Sequence, residues 1–303
     1  MADYACHLLN MVGIYLVLAY SLNLVLGFGG LMSFCHAAFF GTGAYAYTLA
    51  VLARPGAGVG KELLWSANWP FPVAVLFAAG VSGAIAWVAG RVLLRFRGDF
   101  FVFASLGLQM VAFVVLYNWV DLTNGPFGIY GIPRPEIFGH TFRTPGEFLL
   151  LTGVANAVVL PLVFLLYRSP FGLSLAALRD DNPAAQSLGI DARRQHLAAF
   201  TLAAAFAGVA GALFASYVSY IDPTSFNLKE SLFVATILLL GGSGNIKGPA
   251  VGVLVMTLLP EALRLMAISD SAAASLREIL YGLILIVLMF FRPAGIAGNY
   301  RIQ

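Results

Sequence analysis

Long apolar runs recur from one end of the chain to the other, and they restrict its fold more than any other feature. Most of them reach about 20 residues, the length with which a helix crosses the hydrocarbon core of a bilayer. We predict membrane helices at residues 8–26, 33–53, 71–90, 100–118, 147–167, 197–220, 231–240, 249–267 and 276–291. The run at 231–240 reaches only about 15 Å as a helix, so we expect it to end inside the membrane.

Composition excludes a soluble globular fold. The chain is 60% hydrophobic and 10% charged, whereas about 25% of the residues of soluble domains are charged. We therefore predict one all-α transmembrane domain over residues 1–303, a polytopic bundle of about eight or nine membrane segments that includes broken or re-entrant helices. The basic residues form no long run, which argues against nucleic acid as a partner. Cys6 and Cys35 lack metal-ligand spacing, so no metal site is expected.

Arginines cluster in three segments, which the positive-inside rule places in the cytoplasm. The segments hold Arg91, Arg95 and Arg97, then Arg168, Arg179, Arg193 and Arg194, and finally Arg292 and Arg301. Even numbers of predicted helices separate the three segments, so one orientation accommodates all of them. This orientation predicts an external N-terminus, a cytoplasmic C-terminus, an external loop at about 119–146 and a cytoplasmic loop at about 168–196.

Two glycine-rich segments interrupt the apolar pattern at matching positions. Their glycines are Gly27, Gly29 and Gly30 in the first segment and Gly241, Gly242 and Gly244 in the second. Glycine permits backbone turns that other residues resist, and non-helical backbone at membrane depth is tolerated only where protein or water covers it. The segments therefore predict either broken helices that line a transport path or tight turns near the cytoplasmic surface.

Polar residues within the predicted spans are candidates for a substrate pathway. Ser33 and His36 are expected to lie one turn apart on the helix at 33–53, so both could face the same cavity. The alternative role for His36 is a hydrogen bond between helices. The remaining candidates are Asn23, Thr42, Ser243 and Asn245.

The longest cytoplasmic connection predicts a short surface helix. Asp180, Asp181 or Asn182 can cap a helix that starts at Pro183, and Gly189 can end it. A rigid helix flanked by charge suits mechanical contact with a cytoplasmic partner. The residues that we assign to this contact are Arg179, Asp180, Asp181, Ala184, Ala185, Gly189, Arg193 and Arg194.

At this helix the chain resembles a known motif. Ala184 and Ala185, three further residues and Gly189 are similar to the Glu-Ala-Ala, three residues, Gly loop of ABC importer permeases, which docks into a separate ATPase subunit. Pro183 stands where that motif has glutamate. No ion pair that the family assigns to the glutamate is therefore expected here.

Three further stretches make the resemblance specific. Residues 26–45, 121–133 and 240–249 resemble segments of the branched-chain amino-acid ABC transporter permease family. The resemblance covers about residues 16–295. It implies an ATP-driven importer of branched-chain amino acids or related amino acids, amides or urea, with this chain as its permease rather than as an enzyme.

The resemblance also implies the partners. They are a second homologous permease, two ABC ATPase subunits and a soluble substrate-binding protein, assembled at the bacterial inner membrane. The chain has no phosphate-binding loop of the type G-x-x-x-x-G-K-[ST], because Ile246 precedes Lys247 where that motif has glycine. ATP and Mg are thus expected on the ATPases, and no cofactor is expected on this chain.

The sequence is also compatible with two other function classes. Broken helices alone would also allow a stand-alone secondary transporter or channel for a small polar solute. An intramembrane enzyme is the third class, although no Ser, His and acid constellation is evident.

The predicted helix at 197–220 carries a pattern typical of helix packing. Small residues recur every four positions at Ala203, Ala207, Gly211 and Ala215, which predicts close contact with neighbouring helices.

Overall fold

The protein is an α-helical bundle, and its structure, a computed structural model, describes residues 2–52, 69–137 and 139–264 together with residues 282, 283, 286 and 295–297. The helices are α1 Ala2–Asn23, α2 His36–Val51, α3 Phe71–Leu93, α4 Asp99–Asn118, α5 Val120–Thr123, α6 Pro145–Arg168, α7 Pro170–Asp180, α8 Asn182–Ser187, α9 Ala192–Val218, α10 Leu228–Gly241 and α11 Lys247–Arg264. Antiparallel pairs join the two-residue strands β1 Ile129–Tyr130 to β4 Tyr220–Ile221, and β2 Glu136–Ile137 to β3 His140–Thr141.

Within these ranges, five helices are long and apolar enough to cross a membrane: α1 with the π turn that follows it, α3, α4, α6 and α9. This confirms the predicted polytopic helical fold. Helices α2 and α10 have 16 and 14 residues, so they reach only about 24 and 21 Å, less than the hydrocarbon thickness. The helix predicted at 276–291 lies outside the described residues, apart from the helical positions 282, 283 and 286.

Helix α9 packs closely against α2 and α3 because its contact face consists of small residues. A Cβ atom at Gly208 would lie 2.6 Å from Oγ of Ser82 in α3. A Cβ atom at Gly211 would lie 2.1 Å from the carbonyl oxygen of Phe40 in α2. The small-residue contact face predicted from the sequence is therefore confirmed, and it lies in the core of the bundle.

Helix α2 begins inside the bundle, where side chains of α4 and α10 satisfy its first amides. The backbone nitrogen of Ala38 donates to Oε1 of Gln109 over 2.9 Å, and that of Ala37 donates to Oγ of Ser231 over 2.9 Å. Oγ of Ser231 in turn donates to Oε1 of Gln109 over 3.0 Å. These distant side chains therefore cap the N-terminus of α2 in place of a local capping residue.

Large apolar side chains cover the outward faces of α3, α4 and α6. Leu76, Phe100 and Leu150 are examples, and all three are largely exposed. An exposed apolar surface of this extent is stable only against lipid or another membrane protein. The bundle therefore presents these three helices to its membrane surroundings.

Candidate functional site at the helix breaks

The first glycine segment is a π turn followed by a non-helical stretch. Helix α1 ends at Asn23, the π turn covers Leu24–Phe28, and regular helix resumes only at His36. Gly30 has φ of +67°, a conformation that residues with a Cβ rarely adopt. The first predicted break is therefore present as an interruption between α1 and α2.

The second glycine segment separates α10 from α11. Gly242 and Gly244 have φ of +109° and +72°. A Cβ atom at Gly248 would lie 1.8 Å from the carbonyl oxygen of Gly242, so only glycine fits between the two helix ends. The short helix α10 thus stops at a tight turn.

The two breaks touch each other, although the sequence offers no local sign of it. A Cβ atom at Gly27 would lie 2.4 Å from the backbone nitrogen of Gly244. Asn23 joins the segments, because its Nδ2 donates to the carbonyl oxygen of Asn245 over 3.1 Å and its Oδ1 accepts from the nitrogen of Gly244 over 3.0 Å. Asn23 is fully buried. Its amide holds the two breaks together in this state.

Arg179, near the end of α7, adds a third chain segment to this contact. Its Nη1 donates to the carbonyl oxygen of Gly27 over 2.6 Å, and its side chain is only 12% exposed. Cβ atoms at Gly30 and Gly244 would lie 2.7 Å from Arg179 Cγ and 2.7 Å from its Nη1, respectively. We call this group the break junction, and its members are Asn23, Gly27, Gly30, Arg179, Gly244 and Asn245.

Aromatic residues support the break junction, and the sequence reading missed them. The hydroxyl of Tyr20 donates to the carbonyl oxygen of Ile246 over 2.6 Å, and that of Tyr167 donates to the carbonyl oxygen of Tyr20 over 2.7 Å. The rings of Phe28 and Tyr167 stack with centroids 4.1 Å apart. A tyrosine in an apolar run adds to its hydropathy, yet the hydroxyl needs a partner when it is buried.

The predicted surface helix is α8, and it directly follows α7. Asp181 caps it, since its Oδ1 accepts from the backbone nitrogen of Ala184 over 3.0 Å. The helix begins at Asn182, one residue before the predicted start, and Gly189 follows its end with φ of +88°. At this end Leu188 is 83% exposed. Leu188 therefore places an apolar side chain on the surface at the end of α8.

The charges that follow α8 lie on the surface. Asp191 caps α9 and accepts from the backbone nitrogen of Arg194 over 3.1 Å. Nε of Arg194 also lies 3.1 Å from Oδ2 of Asp191. Nη2 of Arg193 donates to the carbonyl oxygen of Arg91 over 3.5 Å, which links the start of α9 to the end of α3. Arg193 and Arg194 are both exposed and could contact a partner, whereas Arg179 is directed toward Gly27.

The predicted pathway residues separate into different environments. Ser33 and His36 do not share a helix, so that prediction is wrong: the helix starts at His36, where distant side chains cap it. Nε2 of His36 and Oγ of Ser21 are hydrogen-bonded over 2.7 Å between α2 and α1, which is the alternative role. Thr42 donates to a carbonyl of its own helix over 3.0 Å. Ser243 is buried within the second break.

Comparisons with known proteins agree with this architecture. The family described as "Branched-chain amino acid transport system / permease component" matches residues 4–289. The high-affinity branched-chain amino acid transport system permease protein LivM of Escherichia coli (strain K12) is 34% identical over 313 residues, which cover 96% of this chain and 69% of LivM. The high-affinity branched-chain amino acid transport system permease protein LivH of the same strain is 25% identical over 300 residues, which cover 95% of this chain and 92% of LivH.

A more distant relative matches over a similar extent. The probable branched-chain amino acid transport permease protein LivM of Methanocaldococcus jannaschii is 24% identical over 330 residues, which cover 97% of this chain and 93% of that protein. No solved structure matches the chain. Because the family match spans most of the sequence, the chain belongs to the branched-chain amino acid transport system permease components, which are transport subunits rather than enzymes.

Proposed function

We propose that this chain is the membrane-spanning permease of an ATP-driven importer that carries branched-chain amino acids or related small amino acids or amides into the cytoplasm. The observation that carries the proposal is the similarity to LivM over 96% of the chain. The architecture supports it, because the short helix α2 follows one glycine break and the short helix α10 ends at the other, inside an otherwise apolar bundle.

The importer that we propose contains three further kinds of subunit. A second, homologous permease is supported by the similarity of the chain to both LivM and LivH of Escherichia coli (strain K12). Two ABC ATPase subunits would bind ATP and Mg and contact α8 from the cytoplasm. A soluble substrate-binding protein would deliver the solute on the opposite side and determine most of the selectivity.

We propose that the protein lies in the inner membrane of the cell. In the orientation that we propose, α7 and α8 lie on the cytoplasmic side. The exposed arginines Arg95 and Arg97 between α3 and α4, and Arg193 and Arg194 at the start of α9, support this orientation. The N-terminus would then be external and the C-terminus cytoplasmic. Residues 119–146, which contain β1, β2 and β3, would form the main external loop.

The mechanism follows from this placement. When the ATPases close on ATP, they would displace α8 and tilt the bundle between outward-open and inward-open states. The exposed side chain of Leu188 and the capped, rigid form of α8 would transmit the displacement. This chain thus contributes a conduit and a contact surface, while the hydrolysis of ATP occurs on other subunits.

Reconstitution tests the proposed function. Proteoliposomes that contain both permeases and the ATPases, supplied with the binding protein, should accumulate labelled leucine only when ATP is present at the ATPases. A panel of other amino acids, amides and urea would define the solute. Accumulation of solute by this chain without ATPases would reject the proposal in favour of a stand-alone secondary transporter.

A single substitution tests the contact surface. Leu188→Asp should reduce co-purification of the ATPases, because it places a charge on the exposed end of α8. Phe127→Asp is the matched control, since Phe127 is similarly exposed but lies in the external loop. Equal recovery of ATPases with both variants would reject α8 as the contact.

A further inference from the structure

We propose that Arg179 is a positioning residue that transmits displacement of α8 to both helix breaks, and that its hydrogen bond to Gly27 is made in one transport state and broken in the other. The inference rests on the proposed function, since it assigns a role to Arg179 within an ATP-driven cycle. It differs from a docking role, because the side chain of Arg179 is directed into the bundle rather than toward a partner.

Arg179 is tightly linked to α8 along the chain. The backbone nitrogen of Asp181, the cap of α8, donates to the carbonyl oxygen of Ala177 within α7 over 3.0 Å. The final turn of α7 therefore runs directly into the cap of α8, with no flexible linker between the two helices. A displacement of α8 must move the backbone at Arg179.

Arg179 is equally tightly linked to the breaks. Its Nη1 contacts the carbonyl oxygen of Gly27 at 2.6 Å, and Gly30 and Gly244 have no room for a Cβ atom beside its side chain. Gly27 belongs to the π turn that ends α1, where helix carbonyls carry partial negative charge. A cation in contact with both break segments at this point stabilises them in the arrangement seen here.

The contact can be reversed without unpacking the bundle. The contact between Arg179 and Gly27 is one hydrogen bond to a backbone oxygen, so breaking it removes no apolar packing by itself. Asp180 offers the guanidinium another partner, because its Oδ1 already accepts from Nε of Arg179 over 3.0 Å and its side chain is 57% exposed. Arg179 can thus leave the Gly27 carbonyl and keep its charge paired.

Hydrogen–deuterium exchange on the complete complex in nanodiscs tests this role. In the nucleotide-free complex, Arg179→Gln should raise the exchange rates of the amides at 29–31 and 244 by about tenfold or more, because a charge-assisted hydrogen bond is lost. Arg179→Lys, which keeps the charge but not the planar fork, should give a smaller rise. Arg97→Gln, an exposed cytoplasmic arginine away from the break junction, should leave these amides unchanged.

Coupling supplies the second readout. Arg179→Gln should raise the number of ATP molecules hydrolysed per leucine taken up, while the ATPases still co-purify. Unchanged exchange and unchanged stoichiometry in Arg179→Gln would overturn the role of Arg179. If Arg179→Gln cannot be purified, the same two results for Arg179→Lys decide the question. Failure of the wild-type complex to take up any solute with ATP would overturn the proposed function instead.

Discussion

Arg179 donates a hydrogen bond to the carbonyl oxygen of Gly27 across 2.6 Å, although 152 residues separate them along the chain. One residue belongs to the helix that precedes the cytoplasmic contact surface, and the other belongs to the π turn that interrupts the first membrane helix. The segment assigned to energy coupling and the segment assigned to the transport path are therefore in direct contact.

Gly27→Ala should destabilise the protein, because a Cβ atom there would lie 1.9 Å from Oδ1 of Asn23 and 2.4 Å from the nitrogen of Gly244. Overpacking of this kind costs about 1–3 kcal/mol of unfolding free energy. The midpoint of thermal unfolding in detergent measures it. Gly153→Ala is the control, since nothing lies within 4 Å of a Cβ atom on that face of α6. Equal midpoints for the two variants would contradict the close approach of the breaks.

Asp181→Ala should fray α8, because the backbone nitrogen of Ala184 loses its side-chain acceptor. Loss of an N-cap costs about 0.5–2 kcal/mol, which should appear as faster amide exchange at 184–187. Asp181→Asn is the matched control, as asparagine caps helices equally well. The capping role would be wrong if both variants exchanged at the same rate as the wild type.

Gln109→Leu should destabilise the start of α2. The substitution removes the side-chain acceptor shared by the Ala38 amide and the Ser231 hydroxyl. The Ala38 amide keeps only its contact with the carbonyl oxygen of Cys35 at 3.2 Å, and the Ser231 hydroxyl loses the acceptor for its proton, which should cost about 1–3 kcal/mol of unfolding free energy. Thermal unfolding and amide exchange at position 38 report the change. Asn118→Leu, which removes a hydrogen bond only within α4 on an exposed surface, should have a small effect. A similar loss in both variants would argue against the cap.

His36→Ala and Ser21→Ala should each destabilise the protein, and the double variant should lose less than the sum of the two. The reason is that the two side chains share one buried hydrogen bond of 2.7 Å between α1 and α2. A double-mutant cycle on unfolding free energies should give a coupling of at least about 0.5 kcal/mol. Additive losses of unfolding free energy, together with a change in the KM for uptake, would indicate that His36 belongs to the substrate pathway.

Helices with strong local signals could be predicted closely from the sequence. The prediction at 100–118 differs by one residue from α4, because Gly98 and Asp99 bound an uninterrupted apolar run. Helix α7 was missed within the cytoplasmic loop, although Ser169 caps it ahead of a proline just as Asp181 caps α8 ahead of Pro183. The sequence therefore carries the same kind of capping signal at the start of both helices.

Contacts between distant segments could not be predicted in this way. The start of α2 was placed too early because the acceptors that fix it, Gln109 and Ser231, lie on other helices. For the same reason the glycine breaks were recognised from the sequence, but their contact with each other through Asn23 was not. Periodicity and capping report local preferences, whereas these pairings depend on how the bundle folds.

The first backbone amides of α2 also impose an order on folding during synthesis, because their side-chain acceptors are synthesised later. Gln109 is synthesised 71 residues after Ala38, and Ser231 follows Ala37 by 194 residues. At translation rates of about 5–20 residues per second, the second of these acceptors emerges roughly 10–40 s after the first amides have left the ribosome. Bare amides are costly in lipid, so the nascent hairpin of α1 and α2 must keep this end hydrated at the insertion machinery until the C-terminal half arrives. The start of α2 can therefore reach its final hydrogen bonding only after much of the C-terminal half has been synthesised.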